Sequence, residues 1–240
     1  MSEPESSYAE RWEAYWSEVT DKGIRVVWDV DAQSGVALDW PDIQPNVDPA
    51  LPMVHLGCGH GRQTAFFGEH FERVIGVDVS RSAIERAQRE NAHARVEYRV
   101  LDALDRRAIA ALHEELGDAN VYIRGVLHQL EDSLQAPYLR SAFDLMGERG
   151  LLNVLELRRG AERIFFPLVK MGLLSFLRPV LDHGIDPHGI TPQRFRSLLP
   201  ETHEVVVAGP AVLMRLALRL PLPFKVPAWR MTVRRRSERD

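Results

Sequence analysis

The 240-residue sequence holds one cysteine, Cys58, so no internal disulfide can staple the chain. It lacks any apolar run of the ~18 residues that a bilayer crossing needs. Its opening, MSEPESSYAE, is polar and carries no apolar leader-like segment. A soluble, cytoplasmic protein is therefore expected. A basic surplus is missing too, since the formal net charge is -4. Residues 1–157 hold 15 Lys+Arg against 27 Asp+Glu, whereas residues 158–240 hold 15 against 7. An acidic front disfavours a general nucleic-acid surface, and the basic, apolar back points to a separate task. With 45% apolar residues the chain can bury one generous core, so a single domain spanning 1–240 is expected.

Within these limits the chain alternates. Tyr8, Trp12, Tyr15, Trp16 and Val19 recur at helical spacing and predict an N-terminal helix with an aromatic face. That face either packs on the domain or covers a ligand. Residues 24–50 read as irregular, broken by Pro41, Pro45 and Pro49. From Met53 onward, strand patterns (MVHLG, RVIGVD, VEYRV, NVYIR, GLLNVLEL) alternate with helix patterns (RQTAFFGEHF, SRSAIERAQREN, DRRAIAALHEEL, QAPYLRSAFDLM). This is the signature of a mostly parallel sheet with helices on both faces. Residues 158–190 interrupt the alternation with an apolar stretch bearing scattered basic residues. TPQRFRSLL then reads as a helix with Thr191 at its N-cap, and HEVVVAG as a strand. AVLMRLALRL has a helical reading, and AWRMTVRRR alternates as a last half-exposed strand.

HLGCGHGRQT, His55–Thr64, sets Gly57, Gly59 and Gly61 between the first strand and the first helix. Glycine there permits positive φ and a close approach of ligand to backbone. A dinucleotide fingerprint requires glycine at the sixth position of G-x-G-x-x-G, and that position is Arg62. Pyrophosphate cofactors are thus disfavoured. Asp78 closes the second strand 21 positions after Gly57, the separation at which a carboxylate reaches ribose hydroxyls.

The G-x-G-x-G loop, Asp78, Asp102 in RVLDAL and the RGVLHQL run, in that order, resemble the class I S-adenosylmethionine-dependent methyltransferases. The resemblance covers residues 53–157. It implies a doubly wound, seven-stranded, mostly parallel Rossmann-like sheet, with an N-terminal helical cover and a helical insertion after the fifth strand. It implies S-adenosylmethionine as cofactor, its amino-acid part along Gly57, Gly59 and Gly61. Asp78 then belongs to the ribose and Asp102 to the adenine amino group. Leu56, Val79 and Ala103 flank these contacts, and the Arg124 backbone passes near the methionine part. Asn120 stands where the family usually has Asp, and LHQL where it has something like LHHL.

Methyl transfer from a sulfonium needs alignment and exclusion of water, with a base only for a neutral acceptor. His128 is the candidate base, histidine titrating near neutrality; a hydrogen-bonded helix-start histidine is the plainer reading. Trp16, Arg124, His128, Phe166 and His183 are the candidate acceptor contacts. The insertion reads equally as an apolar lid or as core packing. The basic-apolar stretches 163–181 and 212–230 also allow reversible membrane contact. His183, Asp186 and His188 match no ligand spacing, so no metal is expected. The expected organisation is a cover (1–50), a cofactor core (51–157), the insertion (158–190) and C-terminal strands and helices (191–240). The expected reaction is methylation of a small lipophilic molecule, neutral or acidic, at hydroxyl, phenol or carboxylate oxygen. Alternatives are methylation of a small amine, or a non-catalytic cofactor-binding subunit. The chain is expected to act as monomer or homodimer.

Overall fold

A computed structural model describes residues 7–24, 26, 35–160, 178–185, 189–216 and 224–236. The strands are β1 (Met53–Leu56), β2 (Val74–Asp78), β3 (Val96–Val100), β4 (Asn120–Arg124), β5 (Leu152–Leu157), β6 (His203–Leu216) and β7 (Phe224–Arg235). They form one sheet in the order β3-β2-β1-β4-β5-β7-β6. β1 to β5 pair in parallel, while β7 runs antiparallel to both β5 and β6. The order reverses between β1 and β4, where an open α/β sheet leaves a crevice at its carboxyl edge.

The helices are α1 (Tyr8–Asp21), α2 (Trp40–Ile43), α3 (Arg62–Phe67), α4 (Arg81–Glu90), α5 (Arg106–Leu116), α6 (Asp132–Met146), α7 (Arg178–Asp182) and α8 (Pro192–Ser197). Local chemistry sets their starts. The side chains of Ser80, Asp105 and Thr191 each accept backbone N–H groups at the N-termini of α4, α5 and α8. α1 begins with a capping box, Ser7 with Glu10. Period-2 alternation splits the sheet between two cores. Val54, Leu56, Ile123, Val154 and Met231 pack on one face with residues of α5 and α6. Met53, Val74 and Tyr122 pack on the other with Phe67, Phe71, Trp40 and Val36.

Two local expectations are corrected. Residues 211–216 are not helical: β6 continues through them, because the long antiparallel pairing with β7 satisfies their backbone. Pro41 does not break structure either, since it occupies the first turn of α2, where no N–H is missed. The rest of AVLMRLALRL, residues 217–220, lies outside the described residues, as does most of the apolar insertion. Among the described residues no helix is long and apolar enough to cross a membrane.

Candidate active site

The glycine loop leaves β1 with three left-handed residues, Gly57 (φ +73°), Gly59 (φ +54°) and Gly61 (φ +83°). A side chain at any of them is strained by the backbone alone. Each is also pressed by a neighbour: an added Cβ would lie 2.6 Å from Val126 at Gly57, 2.9 Å from Trp16 at Gly59 and 2.5 Å from the Tyr98 ring at Gly61. Packing and turn geometry therefore both demand glycine here. Leu56 and Ala103 are buried behind the loop, and Val79 is half-buried.

Asp78 ends β2 beside this loop. Its Oδ2 accepts the Gly59 N–H at 2.8 Å and its Oδ1 the Ser80 N–H at 3.0 Å. Burial nevertheless pushes its carboxyl up to about 6, because those backbone hydrogen bonds offset only part of the desolvation. Asp102 forms an Asx turn, its Oδ1 accepting the Leu104 N–H at 2.8 Å. The turn and the adenine role are compatible, since the second oxygen has no partner among the described residues.

Helix α1 roofs these acids, a feature that periodicity alone did not locate. Burial, then the charges of Asp78 and Asp102, push the Tyr8 phenol up. Burial and the same acids act on Tyr138 of α6. Trp16 is 1% exposed and lies over Gly59, its ring 5.8 Å from that of His60. Glu13 ties the roof down by accepting from the Ser80 and Ser82 hydroxyls at 2.7 and 2.6 Å. Trp16 thus meets the glycine loop.

The richest chemistry lies beyond β4. His128 is buried in a short 3-10 turn, Leu127–Gln129. Its Nδ1 is 2.8 Å from Glu156 Oε2, and the Gln129 amide nitrogen lies 3.3 Å from its Nε2. Glu156, at the carboxyl end of β5, is fully buried. It accepts the backbone N–H groups of Val126, Leu127 and His128 at 2.9, 2.8 and 3.2 Å. One carboxylate thus folds the 126–128 loop and orients the imidazole. The sequence signal was present, an acid inside the apolar strand NVLEL, but its partners are about 30 positions away.

Arg124 and His183 are held by other contacts. The Arg124 side chain donates to the Leu213 carbonyl on the second face of the sheet. His183 engages Glu18 Oε2 and meets the Tyr15 ring edge-on at 6.2 Å, fastening α7 to α1. Phe166, Asp186 and His188 lie outside the described residues. Among the described residues no cluster of three or more His, Cys, Asp or Glu is placed to hold a metal.

A glycine loop after β1, an acid closing β2 and a crevice at the β1/β4 reversal define a nucleoside-binding α/β fold. Comparison with known proteins makes this specific. A family model described as a methyltransferase domain matches residues 53–150. A SAM-dependent methyltransferase from Anabaena variabilis ATCC 29413 is 32% identical, with a TM-score of 0.90 and 98% of each chain covered. N-methyltransferase NodS from Bradyrhizobium japonicum WM9, complexed with S-adenosyl-L-homocysteine, shares the fold at 15% identity. Its TM-score is 0.59, over 94% of this chain and 100% of that one. Magnesium protoporphyrin IX methyltransferase from Synechocystis PCC 6803, with bound SAH, does so at 12% identity. Its TM-score is 0.55, over 98% and 90%. No curated protein matches the sequence. The chain belongs to the S-adenosylmethionine-dependent methyltransferases, and S-adenosylmethionine is its cofactor.

Proposed function

We propose that this methyltransferase acts on an oxygen of a small, lipophilic acceptor, with His128 as its base. The residues around the glycine loop suit the cofactor. Gly57, Gly59 and Gly61 keep Cβ atoms off the loop that would floor its amino-acid part, with the Arg124 backbone alongside. Asp78, bonded only to backbone amides, keeps lone pairs for ribose hydroxyls. Asp102 keeps one oxygen for the adenine amino group, with Leu56, Val79 and Ala103 as apolar flanks. The bound cofactor supplies a methyl group already activated on sulfonium sulfur.

The protein's own tasks are then alignment, exclusion of water and removal of one proton. Tyr8 and Trp16 on α1 cover the acids and the glycine loop, which limits water there. Glu156 accepts from His128 Nδ1–H and fixes that tautomer, so the lone pair resides on Nε2. The Gln129 amide, a donor, faces the same Nε2. A neutral hydroxyl acceptor gives its proton to Nε2 as its oxygen takes the methyl group. The single observation carrying the oxygen reading is this buried, carboxylate-oriented imidazole beside β4.

Calorimetry with S-adenosylhomocysteine, followed by product analysis on matched hydroxyl and amine acceptors, tests the reading. Asp78→Ala is expected to weaken binding by ~1.5–3 kcal/mol, the worth of hydrogen bonds to a charged group. His128→Ala is expected to bind normally but turn over slowly. Unchanged turnover across pH, or exclusive methylation of nitrogen, refutes the oxygen reading.

A further inference from the structure

The second face of the sheet carries a polar row that methyl transfer as described leaves unused. Strand pairing sets His55, Tyr122, Asn153 and Thr232 side by side across β1, β4, β5 and β7. Two positions further along β4 it sets Arg124, Leu155 and Arg230 abreast. Buried parallel strands are normally apolar on both faces. Part of the row satisfies itself: Thr232 donates to Asn153 Oδ1 at 2.8 Å, and His55 Nδ1 pairs with Thr64 Oγ1 at 2.8 Å. The remainder does not. His55 Nε2, the Tyr122 hydroxyl, Arg124 Nε, Arg230 Nε and Asp39 Oδ2 are buried without a hydrogen-bond partner among the described residues. Asp39, His55 and Tyr122 are each at most 3% exposed.

The charges in this cluster are unevenly matched. Arg230 pairs with Asp42 and lies 3.7 Å from Asp39 Oδ1. Arg124 is half-buried and donates to the Leu213 carbonyl; its charge reaches Asp39, but among the described residues no carboxylate lies at ion-pair distance from it. A guanidinium taken from water without an anion is costly, so such a group is normally kept for a charged partner. Burial, aided by the Arg124 charge, pulls the His55 imidazole down to about 3 and keeps it neutral. Burial pushes Asp39 up to about 6, although Arg124 and Arg230 pull the other way.

The cluster adjoins the proposed base. Gly125 follows Arg124 with φ +68°, and a Cβ there would lie 3.5 Å from Leu213 Cδ1 and 3.7 Å from His128 Cε1. The residue that anchors Arg124 and the ring of His128 therefore flank one glycine. We propose that Arg124 and Arg230, with Tyr122, form the recognition pocket for a carboxylate carried by the acceptor, which is methylated at a separate hydroxyl beside His128. The inference rests on the oxygen reading above and narrows it. A carboxylate held by guanidinium N–H groups has its lone pairs engaged and is a poor nucleophile. The free hydroxyl instead forms the new O–C bond as the C–S bond breaks onto sulfur, and His128 Nε2 takes the proton.

Benzoate and benzamide, equal in shape and unequal in charge, test the pocket on protein saturated with S-adenosylhomocysteine. Benzoate is expected to raise the melting temperature and benzamide to leave it unchanged. Arg230→Gln and Arg124→Gln are each expected to weaken benzoate about ten- to hundred-fold, the loss of a charge-assisted hydrogen bond. Equal effects of the two probes, no benzoate effect, or variants that keep the preference overturn the pocket. Formation of methyl benzoate from S-adenosylmethionine overturns the anchor role. The S-adenosylhomocysteine titration on each protein separates the readings, because lost cofactor-product binding in the wild type implicates the cofactor assignment, and intact binding without benzoate preference implicates this pocket alone.

Discussion

Glu156→Gln is the most discriminating substitution. The carboxylate receives Val126 and Leu127 N–H groups on Oε1, and His128 N–H and Nδ1 on Oε2. Glutamine is the same shape and can keep its carbonyl toward Val126 and Leu127. Its NH₂ then faces two donors. The imidazole can escape by moving its proton to Nε2, but the His128 backbone N–H cannot. One buried donor left without an acceptor costs ~1–3 kcal/mol, which for a chain of this length lowers Tm by roughly 2–12 °C. The tautomer change matters more to turnover, because Nε2–H cannot accept a proton. Loss of general-base catalysis is worth ~10²–10⁴-fold. Differential scanning calorimetry, turnover on a hydroxyl acceptor and the ¹⁵N shifts of His128 measure the three effects together. A variant that keeps kcat within about two-fold while its imidazole has changed tautomer refutes the base assignment.

Further outcomes are expected at Asp78, Trp16 and Gly59. Burial raises Asp78 to about 6, above its ordinary 3.8, and the proposed ribose contact calls for the ionised form, whose oxygens accept from hydroxyls. Affinity for S-adenosylhomocysteine should therefore be full above pH 6 and fall as pH drops through 6, while Asp78→Asn shows a flat profile by calorimetry. The same raised value means that this residue favours the unliganded fold below about pH 4 and that its contribution is lost as pH rises through 6, a trend that denaturant melts of wild type against Asp78→Asn can read. Trp16→Ala should cost ~3–5 kcal/mol, as removal of a buried indole does. Gly59→Ala adds ~1–2 kcal/mol of left-handed strain and a Cβ 2.9 Å from Trp16. In the Trp16→Ala background its penalty should shrink, and a double-mutant cycle with no coupling refutes that contact.

Much of this was legible in the sequence because it is encoded locally. A strand period of two, a helix period near 3.6, caps such as Ser80 and Thr191, and glycines forced to positive φ act over fewer than ten residues. Chain spacing disfavoured a pyrophosphate cofactor and marked Asp78, whereas the role of Asp102 and the cofactor itself were what the family resemblance implied. The helical reading of residues 211–216 failed for the complementary reason: pairing with β7 outweighed local propensity.

Tertiary structure alone decided what depends on distant partners. It seated Trp16 on Gly59, joined Glu13 to the start of α4, and set Glu156 against a loop about 30 residues earlier. It also drew Asp39, Tyr122, Arg124 and Arg230 into one cluster, though these come from a loop and two strands separated in sequence by as many as 191 positions. Side-chain identity lists the groups able to ionise or donate. Only the register of the sheet determines which of them lose water, and which are left facing one another without a partner.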